Sequence, residues 1–189
     1  MTYFFTGQIR HSSFYVKGKR HGEAREWNID GQIVLVCNYQ NNKLHGEYFA
    51  RDDRFFQKVT YVNGKMNGKR CIYWDNGQLF EEITYVSGRQ IGPYRMMNQD
   101  GSVMKEFEYN KKGNLEGRCV EYHNNGNVSC ISYFKDGLKH GKFVKYHENG
   151  DLHIFAIYSD NEETKEWQEH GMSRHLKKKV KKIEPPYYH

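Results

Sequence analysis

Tyr133–Tyr158 reads YFKDGLKHGKFVKYHENGDLHIFAIY, two glycine turns alternating with two runs rich in aromatic and β-branched residues. Each run is five to eight residues long between turn signals, which is the length and composition of a strand and too short for a helix. Close copies of the unit fill nearly everything before it, so the repeat decides the fold.

Counting from the glycine that follows the first turn, position zero is occupied by Gly22, Gly46, Gly68, Gly92, Gly117 and Gly141, at spacings of 24, 22, 24, 25 and 24. A second glycine stands nine residues on, at Gly31, Gly77, Gly101, Gly126 and Gly150, and only the second unit lacks it. Trp27, Tyr73, Tyr122 and Tyr146 hold plus five, with Arg51 and Met97 as exceptions. Ile33, Leu79, Val103, Val128 and Leu152 hold plus eleven. Allowing for the shorter second unit, Tyr39, Tyr61, Tyr85, Tyr109, Phe134 and Tyr158 hold plus seventeen. Tyr3, Gly7, Ile9, Tyr15 and Gly18 fall into the same columns, so six units follow one clipped at its N-terminal side.

The turn at the second glycine fixes the expected register. A two-residue Asn-Gly turn would send plus five and plus eleven to opposite faces. A three-residue loop such as Glu148-Asn149-Gly150, a type I turn closed by a left-handed glycine at a G1 bulge, pairs them instead. Tyr146 then faces Leu152, Val144 faces Ile154, and plus one faces plus fifteen. In the second unit the loss of two residues shortens the hairpin by one pair, and Arg51 faces Phe55 across Asp52-Asp53-Arg54. The other turn, as in Asn63-Gly64-Lys65-Met66-Asn67-Gly68, needs two permissive glycine positions. Its extra residue within Lys111-Lys112-Gly113 falls in a connection, where register is not at stake.

Composition agrees with a thin sheet. Hydrophobic residues make up 37% and mean hydropathy is -0.96, too little for a thick two-layer core. The 15% aromatic content argues against disorder, since tyrosine and phenylalanine bury large areas while tyrosine keeps a polar edge in water. No apolar run approaches the roughly 20 residues of a membrane helix, and the start lacks a basic, then apolar, leader. A cytoplasmic protein is expected, with Cys37, Cys71, Cys119 and Cys130 as reduced thiols, because no C-x-x-C pair or metal spacing occurs. The net charge is +6, of which +5 belongs to Met172–His189, so residues 1–171 carry only +1. The repeats therefore lack the charge for nucleic acid.

The pattern Y-x-x-G-K-x-x-G-x-x-x-x-Y-x-x-N-G-x-L, as in Tyr61–Leu79 and Phe134–Leu152, resembles the variant MORN repeat over about residues 3–158. Six copies in phase make this a specific signal. The resemblance implies β-hairpin repeats in an elongated sheet, as in junctophilins, plant phosphoinositide kinases and a SET-domain methyltransferase. It also implies a history of phospholipid binding and a place in antitoxin-like or large-DNA-virus assemblies. The departures are the missing turn glycine near Phe55, Arg51 and Met97 at aromatic positions, and Ile91-Gly92-Pro93 in place of His-Gly-Lys. The expected architecture is all-β: a single elongated, twisted antiparallel meander of hairpin repeats over 1–158, followed at 159–189 by a capping helix and a basic tail.

For that helix, Ser159-Asp160-Asn161 supplies N-cap candidates, Glu162 and Glu163 suit a first turn, and Trp167, Leu176, Val180 and Ile183 form an imperfect stripe. Its expected role is to cover the terminal sheet edge. Beyond it, Lys177, Lys178, Lys179, Lys181 and Lys182 form a basic run suited to a solvated helix end, an acidic lipid surface, a nuclear-import-like signal or a nucleic-acid patch. Pro185, Pro186 and Tyr188 complete a P-P-x-Y motif of the kind WW domains bind.

No catalytic, cofactor or metal site emerges. His21, His45 and His140 share the column before position zero, and His123 and His147 share plus six, so repetition explains them and their expected task is to bond or cover turn backbone. No G-x-x-x-x-G-K-[ST] phosphate loop occurs. The expected function is a non-enzymatic scaffold presenting a long aromatic surface, with Trp27, Tyr39, Tyr61, Tyr73, Tyr85, Tyr109, Tyr122 and Tyr146 as candidate contacts for another protein or a second copy. Peripheral association with an acidic membrane through the tail is the alternative. Most of these aromatics are also the array's available core.

Overall fold

A computed structural model describes the backbone of residues 1–168 and the side chains of residues 1–164. Among these residues the chain is all strand and turn, without a helix. It packs as two compact units, Met1–Leu115 and the part from Glu116 onward.

The first unit holds β1 (Thr2–Tyr3), β2 (Ile9–Val16), β3 (Lys19–Trp27), β4 (Ile33–Gln40), β5 (Lys43–Arg51), β6 (Phe55–Val62), β7 (Lys65–Met66), β8 (Gly68–Trp74), β9 (Leu79–Val86), β10 (Arg89–Met97) and β11 (Val103–Tyr109). They form an antiparallel meander in sequence order, with the two-residue β7 lying off the path against β6. The second unit is built the same way from β12 (Leu115–Tyr122), β13 (Val128–Lys135), β14 (Leu138–Tyr146), β15 (Leu152–Ser159) and β16 (Glu162–Gln168).

The hairpin loop has the expected chemistry. At its tip the Gly150 N–H donates to the His147 carbonyl (2.9 Å), the His147 N–H donates to the Asp151 carbonyl (2.8 Å), and Gly150 sits at φ 84°. That is a type I turn closed by a left-handed glycine. Tyr146 pairs with Leu152 as expected, but Lys145 then pairs with Ile154 and Val144 with Phe155. Val144 therefore does not face Ile154, and plus one meets plus sixteen instead of plus fifteen. A second bulge at plus twelve is the reason, and it recurs in the other full-length hairpins: Trp27–Ile33 is followed by Glu26–Leu35, and Tyr73–Leu79 by Ile72–Glu81.

The second repeat, which starts at Gly46, lacks both extra residues. Its ladder runs unbroken from Gly46–Tyr61 to Arg51–Phe56. Arg51 thus faces Phe56 and not Phe55, across a tight turn in which the Asp52 N–H donates to the Phe55 carbonyl (2.9 Å). Losing two residues removes the glycine bulge and the strand bulge together, which keeps the faces in phase.

The other connection is a two-residue turn with both residues left-handed, as at Asn63 (φ 51°) and Gly64 (φ 80°). This is the type I′ geometry that matches strand twist. Each such turn bonds back to the preceding repeat. The Asn42 N–H donates to the Arg20 carbonyl (3.0 Å), the Gly64 N–H to the Leu44 carbonyl (2.7 Å) and the Gly88 N–H to the Met66 carbonyl (2.8 Å).

The end of the second unit departs from expectation. Asp160 (φ 52°) and Asn161 (φ 74°) form the same left-handed pair, and Glu162–Gln168 follows as β16, with Phe155 opposite Trp167. The segment expected to begin a helix therefore begins one more strand. Its N-cap-like residues serve a turn: the Lys139 N–H donates to Asn161 Oδ1 (2.7 Å) and the Asn161 N–H returns to the Lys139 carbonyl (3.0 Å). The remainder of the expected helix, from residue 169, lies outside the described residues.

Candidate interaction surface

Alternation along the strands, read through the extra bulge, assigns every column a face. Plus two, four, thirteen, fifteen and seventeen share one face, and plus three, five, eleven and fourteen share the other. The eight candidate aromatics consequently divide. Tyr39, Tyr61, Tyr85 and Tyr109 belong to the first face. Trp27, Tyr73, Tyr122 and Tyr146 belong to the second. All eight are half-buried, so none is a freely projecting contact.

On the first face of the Met1–Leu115 unit, the rungs beneath the tyrosines are the core: Ala24 and Cys37 pair, as do Tyr48 and Val59, and Ile83 and Tyr94. Ala24, Cys37 and Ile83 are each 1% exposed. Tyr48 and Tyr61 rings lie 5.4 Å apart, and Tyr94 stacks on Phe107 at 4.3 Å. The Arg20 guanidinium lies 4.2 Å from the Tyr39 ring centroid and donates to its hydroxyl (3.0 Å), while Gln90 Nε2 donates to the Tyr85 hydroxyl (3.0 Å). Burial is the first cause that pushes the phenols of Tyr39, Tyr48, Tyr61 and Tyr109 above their ordinary value. Tyr94 is raised furthest, by burial and then by the Glu81 carboxylate, to which its hydroxyl donates (3.1 Å).

The opposite face differs between the two units. Plus three and plus fourteen are mixed in the first unit, where Arg25, Lys58, Glu82, Arg95 and Glu106 stand beside Val36, Phe49 and Cys71, and Lys69 bridges Glu82 at 3.0 Å. In the second unit the same columns carry Val120, Ile131, Val144 and Phe155, which are 1%, 6%, 1% and 3% exposed. Tyr146, Leu152 and Ile157 pack against Val144 and Phe155. Tyr146 is thus part of a local core, and burial pushes its phenol up. Tyr73 stacks on Phe56 at 4.8 Å in the first unit.

In the histidine column before position zero, turn bonding is seen at His45 but not at His21, whose buried Nδ1 has no hydrogen-bond partner among the described residues. The Asn63 N–H donates to His45 Nδ1 at 3.4 Å, and Glu116, in the same column, accepts the Asp136 N–H at 3.0 Å. His123 Nε2 lies 3.0 Å from the Tyr146 carbonyl. Among the described residues no three His, Cys, Asp or Glu side chains converge as metal ligands, and no helix is long and apolar enough to cross a membrane. The four cysteines are free thiols, and burial pushes Cys130 up to about 11. The basic run at Lys177, Lys178, Lys179, Lys181 and Lys182 and the motif at Pro185, Pro186 and Tyr188 lie outside the described residues.

Sequence reasoning missed a depression of about 280 Å3 in the first unit, lined by Ala50, Arg51, Asp52, Phe55, Phe56, Gln57, Arg70, Ile72 and Phe80. Its signal was present. The second repeat lacks the loop glycine and is two residues shorter than the others.

Residues 66–87, 115–136 and 139–154 match the family model described as MORN repeat variant. No curated protein matches the chain in sequence. Among solved structures, a S. aureus TarM mutant in complex with fondaparinux, α-GlcNAc-glycerol and UDP is 12% identical, and a second TarM structure is 13% identical. The matches cover 69% and 68% of this chain but 21% of each TarM chain, at TM-scores of 0.27 and 0.26. This chain spans about a fifth of the length of those proteins, and a likeness at that level carries no argument about its function.

Proposed function

Taking the chain as a protein of MORN-variant repeats, we propose that it is a non-enzymatic interaction scaffold whose first-unit tyrosine face receives an extended segment of another protein. The supporting observation is the row Tyr39, Tyr61, Tyr85 and Tyr109, which recurs on every second strand of one sheet face and is half-buried. Two strand spacings place successive rings roughly 9.6 Å apart, so a chain crossing the strands meets one aromatic body and one phenolic edge per repeat. Tyrosine suits this role because it adds large contact area with few rotatable bonds and keeps a hydroxyl for the partner. The opposite face of the same unit carries cross-strand ion pairs such as Lys69–Glu82 between its aromatics.

Affinity capture followed by mass spectrometry tests the reading, comparing the full chain, a chain ending at Gln168, and the full chain carrying Tyr61→Ala, Tyr85→Ala and Tyr109→Ala together. A stoichiometric partner kept by the chain ending at Gln168 and lost from the triple variant supports it. A partner that needs only residues 169–189, or one indifferent to the tyrosines, refutes it.

A further inference from the structure

On the plus-three and plus-fourteen face of the second unit, one row running directly across the strands is apolar without a break. Val120 pairs with Ile131, Ile131 with Val144 and Val144 with Phe155, and Phe155 stands opposite Trp167 in register. In the first unit the same row is interrupted by Arg25, Lys58, Glu82 and Arg95.

Burial differs with composition. Val36 and Phe49 lie in the first-unit row, each between two strands, and remain half-buried, whereas Val144, likewise between two strands, is 1% exposed. Side chains of one layer cover each other's flanks but not the outward ends of the largest among them. Where the first unit buries Ile83 to 1%, the larger Tyr85 ring beside it stays half-buried. In the second-unit row the largest member, Phe155, is itself 3% exposed. Such depth needs a second layer. The described side chains packed on Val144 and Phe155 are Tyr146, Leu152 and Ile157, which belong to the same sheet.

The sequence beyond β16 carries a matching surface. Met172, Leu176, Val180 and Ile183 recur at the four- and three-residue steps of one helix face, while Lys177, Lys178, Lys181 and Lys182 fall on the others. A helix over Met172–Ile183 would span roughly 18 Å, and the strand spacings from β16 back to β12 span roughly 19 Å. Glu169, His170 and Gly171 stand between β16 and the stripe, and the glycine permits a reversal of the chain.

We propose that the stripe of Met172, Leu176, Val180 and Ile183 docks as a second layer on the row of Val120, Ile131, Val144 and Phe155, with the lysines of the basic run turned to solvent. The outer edge of β15 is already taken by β16, so the tail covers a face and not an edge. This inference goes beyond the tyrosine-face reading and does not depend on it.

The test uses the full chain. Leu176→p-benzoylphenylalanine, irradiated and mapped by peptide mass spectrometry, should crosslink within one chain to β13, β14 or β15. Hydrogen exchange over Val128–Ser159 should quicken at least about tenfold in the double variant Leu176→Asp, Val180→Asp, because two aliphatic contacts with the row are lost. It should stay within about twofold of wild type in Lys178→Glu, Lys181→Glu, which alters only the solvent side. A crosslink to a second copy, no crosslink to these strands, or exchange indifferent to the stripe variant overturns the proposal. Unchanged exchange together with flotation of wild type, but not of the stripe variant, on vesicles of phosphatidylcholine and phosphatidylserine would assign the stripe to a lipid surface instead.

Discussion

Substitution of Asn42 tests how one repeat is fastened to the next. Asn42 occupies the second position of a left-handed turn at φ 67°, donates its N–H to the Arg20 carbonyl (3.0 Å) and accepts the Arg20 N–H on Oδ1 (2.7 Å). Asn42→Gly keeps the backbone conformation and loses only the side-chain acceptor, a cost of about 1 kcal/mol. Asn42→Ala loses the same acceptor and must also place a Cβ in the left-handed region, adding about 1–2 kcal/mol. The alanine variant should therefore lie about 2–3 kcal/mol below wild type and the glycine variant about 1 kcal/mol below it. Equilibrium urea unfolding of both, followed by far-ultraviolet circular dichroism, gives the difference directly. For a chain of this size 1 kcal/mol corresponds to about 2–4 °C in Tm, so the melting temperatures should fall in the same order. Asn161, with its reciprocal pair to Lys139, repeats the experiment at the other end. An alanine variant as stable as the glycine variant would refute the left-handed turn. Two neutral variants would refute the bond between repeats.

Phe155→Ala removes a side chain that is 3% exposed and packed on Val144, so it should cost about 3–5 kcal/mol, whereas Leu138→Ala, at 40% exposure, should cost well under 1 kcal/mol in the same urea melts. Gly141→Ala should destabilise by about 1–2 kcal/mol, because φ there is 99°, a backbone conformation that a Cβ disfavours; a neutral result would contradict the left-handed backbone at Gly141. Tyr94, Tyr61, Tyr109 and Tyr146 are raised above the ordinary phenol value of 10.0. Their folded forms hold the proton that unfolded chains release, so stability is intact below pH 10 and falls as pH climbs through the raised values; tyrosinate absorbance should then rise together with loss of circular dichroism, and a gradual titration without unfolding would contradict the burial. Under native conditions iodoacetamide should modify the half-buried Cys71 before Cys37, Cys119 and Cys130, which are buried, as peptide mass spectrometry would read.

The repeats, the strands and the three-residue hairpin loop were legible in the residues, because glycine spacing and the Asn-Gly and Asp-Gly pairs are local backbone chemistry written into the chain; the other connection was legible as a turn but not as a two-residue one. The pairing of Tyr146 with Leu152 followed from the same logic. The plus-twelve bulge was not legible, since an extra residue shared by every full-length unit leaves all spacings unchanged. Only the second repeat, which loses two residues at once, hinted at it. Faces depend on register, so without that bulge the plus-five and plus-seventeen aromatics could not be separated.

At the end of the second unit, Asp160, Asn161 and the two glutamates carry helix-start chemistry, and the same residues suit a left-handed turn followed by a strand. Pairing with β15 decided between them, since it satisfies a row of backbone groups that β15 would otherwise leave unpaired. Sequence by itself thus determined what repeats and where the chain turns, which are properties of single residues and their spacing. Tertiary structure alone decided which side chains share a face and which unit buries its second face, because each of these depends on residues brought together across strands.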